Sequence, residues 1–167
     1  LTLALLLGVG GFASGWFRPD ETTVTEIAPG VWFRKTQWKP EFIGCNQGWV
    51  EFRDFVLVID ANFPGQAAEV IKTIKQYTDK PIRFVFDTHY HGDHADGNPI
   101  FGKIGATAIA SENAAEEFRT KGIRGFEQAK KDKSAEYGKL DYLTPSLYFP
   151  KKLVIEDGRQ RVELLHI

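Results

Sequence analysis

The sequence predicts a mixed α/β domain, and three observations carry the prediction. Residues 56–60, 64–78 and 82–87 read in turn as an apolar strand, an amphipathic helix and a second strand rich in β-branched and aromatic residues. Strand, helix, strand in that order is a βαβ unit, whose two strands lie parallel. Three of the four histidines then fall within six positions, His89 to His94, directly after the second strand. Open α/β sheets place their ligands at that carboxyl end.

Taken in order, the chain starts with an apolar run at residues 1–12, too short to span a bilayer. Ala13, Ser14 and Gly15 follow, small residues of the kind a signal peptidase cuts beside. With no methionine anywhere, not even at position 1, the N-terminus is expected to be incomplete or processed. Residues 1–15 therefore read as the remnant of a secretory signal peptide, which implies export to the periplasm or beyond and no stable membrane insertion after cleavage. A membrane anchor and a buried N-terminal strand are the alternatives.

The globular domain is expected over residues 22–167. Residues 22–35 read as two strands around the turn pair Pro29-Gly30. Residues 46–52 and 55–60 read as a strand pair around Arg53-Asp54. Ala67, Val70, Ile71, Ile74 and Tyr77 recur at helical spacing in 64–78, and Pro64 suits a first turn. Asn98-Pro99 opens a short helix, and residues 106–110 read as a buried strand. Ser111 is the expected N-cap of a helix over 112–121 that stops at Gly122. A polar helix over 124–139 and a hairpin turning at Asp157-Gly158 complete the chain.

At 167 residues, the length bounds the chain to one domain able to bury a core. Its net charge of −1, with no basic stripe, argues against nucleic acid as a partner and for a small-molecule substrate. The lysines at 130, 131 and 133 read as a solvated helix face. Cys45, the single cysteine, cannot form an internal disulfide and lies far along the chain from the histidines. Nothing in the sequence specifies an oligomeric state.

The histidine cluster, Thr88-His89-Tyr90-His91-Gly92-Asp93-His94, carries the chemistry. Imidazole and carboxylate ligands suit Zn²⁺, with Fe and Mn as alternatives. If the backbone stays extended past Asp87, His89 and His91 point to one side and share a metal. Gly92 permits a sharp turn that carries Asp93 and His94 to a second position. Two metals about 3.5–4 Å apart suit a hydrolase. Asp60, ending its apolar run, either accepts a hydrogen bond from a ligand histidine or caps a turn.

These residues resemble a known family. His89-Tyr90-His91-Gly92-Asp93-His94 matches the His-x-His-x-Asp-His signature of the metallo-β-lactamase superfamily. The resemblance extends from about residue 23 to residue 167, including Thr25–Trp32 as the opening strand and turn and Val56–Asp60 as the strand ending beside the metals. It implies the N-terminal half of an αββα sandwich. It also implies His89 and His91 on one metal, with Asp93 and His94 on a second. In similar enzymes the region corresponding to residues 35–44 forms a flap over substrate; the alternative here is a connection whose aromatics pack on the core.

A catalytic zinc usually takes three protein ligands, so each pair needs one more. His166 is the remaining histidine, and its distance from the motif would suit a third ligand of the first metal. In similar proteins the next ligand histidine follows a glycine turn after such a strand, which would put it beyond Ile167 and leave His166 a bystander. The chain then reads as truncated at its C-terminus.

The implied activity is hydrolysis of a β-lactam, thioester, lactone or similar ester-type bond through a metal-bound water of pKa about 7. Asp93 would hold the second metal and orient or deprotonate that water. The alternatives are a mononuclear iron oxidoreductase and a non-catalytic module that kept the loop. Di-iron relatives carry a glutamate where this chain has His91.

Overall fold

The computed structural model describes residues 23–36 and 44–167. The leader segment and most of the flap segment lie outside the described residues. Strands β1 (Thr23–Ala28) and β2 (Val31–Lys35) form a hairpin. Its turn depends on Gly30, which has φ 72° and whose N–H donates to Glu26 Oε1 at 2.8 Å. Strands β3 (Gln47–Glu51) and β4 (Val56–Ile59) continue the antiparallel run.

Helix α1 (Pro64–Ile74) crosses to β5 (Ile82–Phe86), parallel to β4. The short helices α2 (Gly92–Ala95) and α3 (Asn98–Lys103) lead to β6 (Thr107–Ser111). After a helical stretch, β7 (Leu147–Phe149) pairs with β6. The result is a mixed sheet in the order β1-β2-β3-β4-β5-β6-β7, antiparallel to β4 and parallel from β4 onward. Strands β8 (Lys152–Glu156) and β9 (Arg161–Leu165) form the predicted hairpin as a separate two-stranded sheet.

The two-residue period of the strands divides the core. Trp49, Val58 and Val85 face α1 and pack with Val70, Ile74 and Phe101. Their sequence neighbours Val50, Leu57, Phe84 and Phe86 face the other way, against Ile155 and Val162 of the β8–β9 hairpin. Helices therefore cover one face and the hairpin covers part of the other. Among the described residues no helix is long and apolar enough to cross a membrane.

Asp157 ties down the hairpin turn. Its carboxylate accepts N–H bonds from Arg159 and Gln160, at 2.9 and 2.8 Å, and one from Arg53 across the molecule. These backbone bonds, led by that from Arg53, hold its pKa down to about 2. A depressed carboxyl pKa gives stability that is present above the unfolded value and is lost as pH falls through the folded one. Asp157→Ala is therefore expected to lower the urea midpoint at pH 7, with the gap from wild type closing between about pH 4 and pH 2. A constant gap across that range would contradict the assignment.

Three expectations between β6 and β7 need correction. Ser111 sits in extended conformation before the helical stretch but makes no capping bond, and its hydroxyl is buried without a partner among the described residues. The helix does not stop at Gly122. It runs as a turn at Glu112–Ala114, α4 (Ala115–Glu117), a π-helical turn at Phe118–Gly122 and α5 (Ile123–Asp132). Gly122 serves close approach: a Cβ there would lie 2.2 Å from Tyr142 Oη. The polar helix expected over 124–139 divides at Lys133 (φ −127°, ψ 48°), with α6 (Ser134–Tyr137) beyond it.

Candidate metal centre

Parallel pairing of β4 with β5 puts Ile59 beside Phe86, so the chain leaves both strands at the same sheet edge. Asp60 follows β4 and the histidine loop follows β5. Asp60 is 6% exposed and takes φ 63°, in the left-handed region, as does Asn62 at 58°. That bend turns the Asp60 carboxylate into the loop. Its Oδ1 accepts bonds from the Thr88 N–H and hydroxyl, each at 2.9 Å. Its Oδ2 lies 3.0 Å from His94 Nδ1. One carboxylate thus holds the first residue of the loop and its last histidine, and the hydrogen-bonding reading of Asp60 describes the geometry.

The backbone clamps the loop from the same side. His94 O accepts from Ala61 N and Asn62 N, at 2.6 and 3.2 Å, and Gly97 N donates to Asn62 O at 2.6 Å. A Cβ at position 97 would meet Ala61 O at 2.2 Å and Ala67 Cβ at 2.7 Å, so only glycine lets α1 and the loop close to this distance.

Within the loop the four motif side chains form one chain of contacts. His89 Nε2 and His91 Nδ1 are 3.2 Å apart. The His89 ring lies 4.0 Å from that of His94, centroid to centroid. His94 Nε2 in turn is 3.2 Å from Asp93 Oδ2. The Thr88 hydroxyl approaches His89 Nδ1 at 3.1 Å, which leaves Nε2 to face His91.

Electrostatics separate the two histidines at the middle of this chain. Burial, then the neighbouring His94 and His91, lowers the His89 pKa and keeps the ring neutral, the form that binds metal. Burial pulls His94 down as well, but the hydrogen bond and charge of Asp60, with Asp93 adding to them, outweigh it and raise the pKa.

The donor set suits a metal. Two ligands at about 2.0–2.1 Å from a tetrahedral zinc lie about 3.3 Å apart. The His89–His91 and Asp93–His94 donor pairs are each at 3.2 Å. His166 is placed elsewhere: its exposed Nε2 accepts from Asn113 Nδ2 at 2.6 Å.

Distance along the chain misplaced Cys45. Antiparallel pairing sets Gly48 opposite Ile59, so residues just before β3 sit beside residues just after β4. The Cys45 thiol, the Asp60 carboxylate and His94 consequently bring donor atoms within 4.8 Å of one another. Burial, then the charge of Asp60, pushes the thiol pKa up to about 12, despite a 3.3 Å bond from Gln47 Nε2. Cys45 thus lies at the site, with its thiol held above its ordinary pKa while no metal is bound. The pairing of β2 with β3 and β3 with β4 was the signal that could have found it.

Comparison with known proteins follows the same lines. The family model of the metallo-beta-lactamase superfamily matches residues 40–166. Among solved structures, the chain is similar to the metallo-beta-lactamase FIM-1 from Pseudomonas aeruginosa in its mono-zinc form, with 28% identity and a TM-score of 0.53 over 60% of this chain and 46% of that one. It shares its fold with a metallo-beta-lactamase from Pontibacter korlensis at 19% identity, with a TM-score of 0.62 over 86% of this chain and 59% of that one. The chain thus spans about half the length of these structures, and its seven-stranded mixed sheet with helices corresponds to a half domain of their fold.

Proposed function

The chain belongs to the metallo-beta-lactamase superfamily, and from that premise we propose that it forms the metal-binding half of a zinc-dependent hydrolase acting on a β-lactam, thioester, lactone or similar ester-type bond. The observation that carries the reading is the 3.2 Å approach of His89 Nε2 to His91 Nδ1, joined through His94 to Asp93. His89 and His91 would hold one zinc, and Asp93 and His94 a second. Zinc bound there supplies Lewis-acid polarisation and lowers the pKa of water to about 7.

The chain's own residues orient the donors. Asp60 Oδ2, 3.0 Å from His94 Nδ1, takes that nitrogen's proton in a hydrogen bond and leaves Nε2 as the ligand atom. Thr88 does the same for His89. Asp93, with one oxygen toward His94, keeps a second oxygen able to orient the attacking water and accept its proton. Each pair needs one further protein ligand, supplied from outside the motif. The apolar segment before Ala13, Ser14 and Gly15 favours an exported protein, and export with a net charge of −1 favours a small-molecule substrate.

Metal analysis together with turnover of a chromogenic β-lactam, a thioester and a lactone tests this reading. Zinc with turnover of one of these supports it. Iron alone without hydrolysis would move the chain to the oxidoreductases of the fold, and no metal would leave a binding module.

Asp60→Asn is expected to weaken zinc binding about 10- to 100-fold, read by competition with a chromogenic chelator. The new amide can still accept from Thr88 but turns an N–H toward His94 Nδ1. Unchanged affinity would mean that Asp60 only shapes the turn.

A further inference from the structure

A cleft opens beside the histidine loop, lined there by Tyr90, His91 and Gly92. It encloses about 230 Å³ and is continuous with His91. Phe63, Tyr90, Phe126 and Tyr137 line it, together with Gly122, Gly125 and Ala129. These three small residues repeat along one helical face, so the helix backbone itself forms the surface. Sites for whole drug-sized ligands run to about 300–1,000 Å³. A space of this size holds one substituent of a substrate whose reacting bond lies at the histidines.

Charge fixes which substituent. Two lysines line the cleft: Lys121 Nζ stands 5.5 Å from the centre of the Tyr90 ring, and Lys133 Nζ stands 5.1 Å from that of Phe63. Each is held over an aromatic face, which fixes the side chain at the cleft. Lys121 also meets Glu117, but at 4.0 Å between exposed groups, a weak contact. Asp96 lines the same cleft, bonded by Tyr137 Oη at 2.6 Å, and interacts with the charge of Lys133. An acidic group therefore seats at the lysines, with its apolar body against the rings.

Building on the hydrolase reading, we infer that this cleft is a substrate subsite selecting an anionic, carboxylate-bearing side group. Lys121 and Lys133 are its specificity-determining residues. They act on binding and touch no reacting atom.

The test has two arms on the full chain. In the first, benzylsuccinate is titrated into the protein and followed through the amide signals of Gly122 and Gly125, with benzylsuccinamide as the neutral counterpart. The carboxylate is expected to shift both signals and the diamide to bind at least about tenfold more weakly. Lys121→Ala/Lys133→Ala should weaken the carboxylate about tenfold or more, and the double arginine variant should restore it. A carboxylate bound only by metal would not respond to the lysines, so an unaffected dissociation constant, or equal binding of the diamide, overturns the inference. In the second arm, the ratio of kcat/KM for mono-4-nitrophenyl glutarate to that for 4-nitrophenyl acetate should fall about tenfold in the double alanine variant. Turnover of neither ester, with lysine-dependent carboxylate binding intact, would sink the hydrolase reading and keep the subsite.

Discussion

His89→Ala is expected to abolish hydrolysis, with a loss of three or more orders of magnitude in rate and loss of the first zinc. The ring supplies Nε2 to a donor pair 3.2 Å wide, and its removal leaves His91 as the loop's single donor for the first zinc. Lewis-acid stabilisation is worth several kcal/mol, and about 1.4 kcal/mol corresponds to each factor of ten in rate. His91→Ala should match it. The double variant should be no worse than either single one, because the two rings act as a unit. The fold should survive, since neither ring is in the buried apolar core. Metal content and rate, measured on variants with unchanged thermal midpoints, check this. A variant that keeps both zinc and turnover would remove the motif from the mechanism.

The largest effect on stability is expected at Trp49, in β3. Its ring is fully buried, stacks on Trp32 with centroids 5.6 Å apart and meets Tyr77 at 5.8 Å. Trp49→Ala should cost about 3–5 kcal/mol through lost transfer energy and the cavity left behind. That is a large share of the roughly 5–15 kcal/mol typical of a domain. Val50→Ala, on the opposite face, removes far fewer atoms and should cost much less. Urea unfolding of both variants measures the difference. Comparable losses would mean that the α1 face is not the principal core.

Most of the fold was legible because its signals are local. The apolar run of β4, the β-branched and aromatic run of β5, the helical spacing in α1 and the turn pair at Pro29-Gly30 each act over a few residues, and tertiary context agrees with them. The stretch from Ser111 to Tyr137 was misread because tertiary context overrode local punctuation. Gly122 carries a helix-stop signal, yet Tyr142 packs against it, a contact the linear sequence does not display. Strand β7 was missed for the same reason: three residues paired with β6 are too few to show a period.

The site divides in the same way. The four motif residues are adjacent in sequence and their convergence follows from one turn at Gly92. Asp60 was legible as the end of an apolar strand, although its left-handed backbone was not. Cys45 is brought to the loop by sheet pairing and the lysines of the cleft by the helical stretch between Ala115 and Tyr137, and neither leaves a mark in a short window of sequence.

X-ray absorption at the zinc edge tests the central claim most directly. The histidine loop predicts a first shell of nitrogen and oxygen only, at about 2.0–2.1 Å, with imidazole outer-shell scattering that falls in His89→Ala as the first zinc is lost. The contrary result is specific as well. A sulfur shell at about 2.3 Å that survives His89→Ala would place the metal at Cys45, Asp60 and His94, and would contradict the assignment of the loop as the catalytic centre.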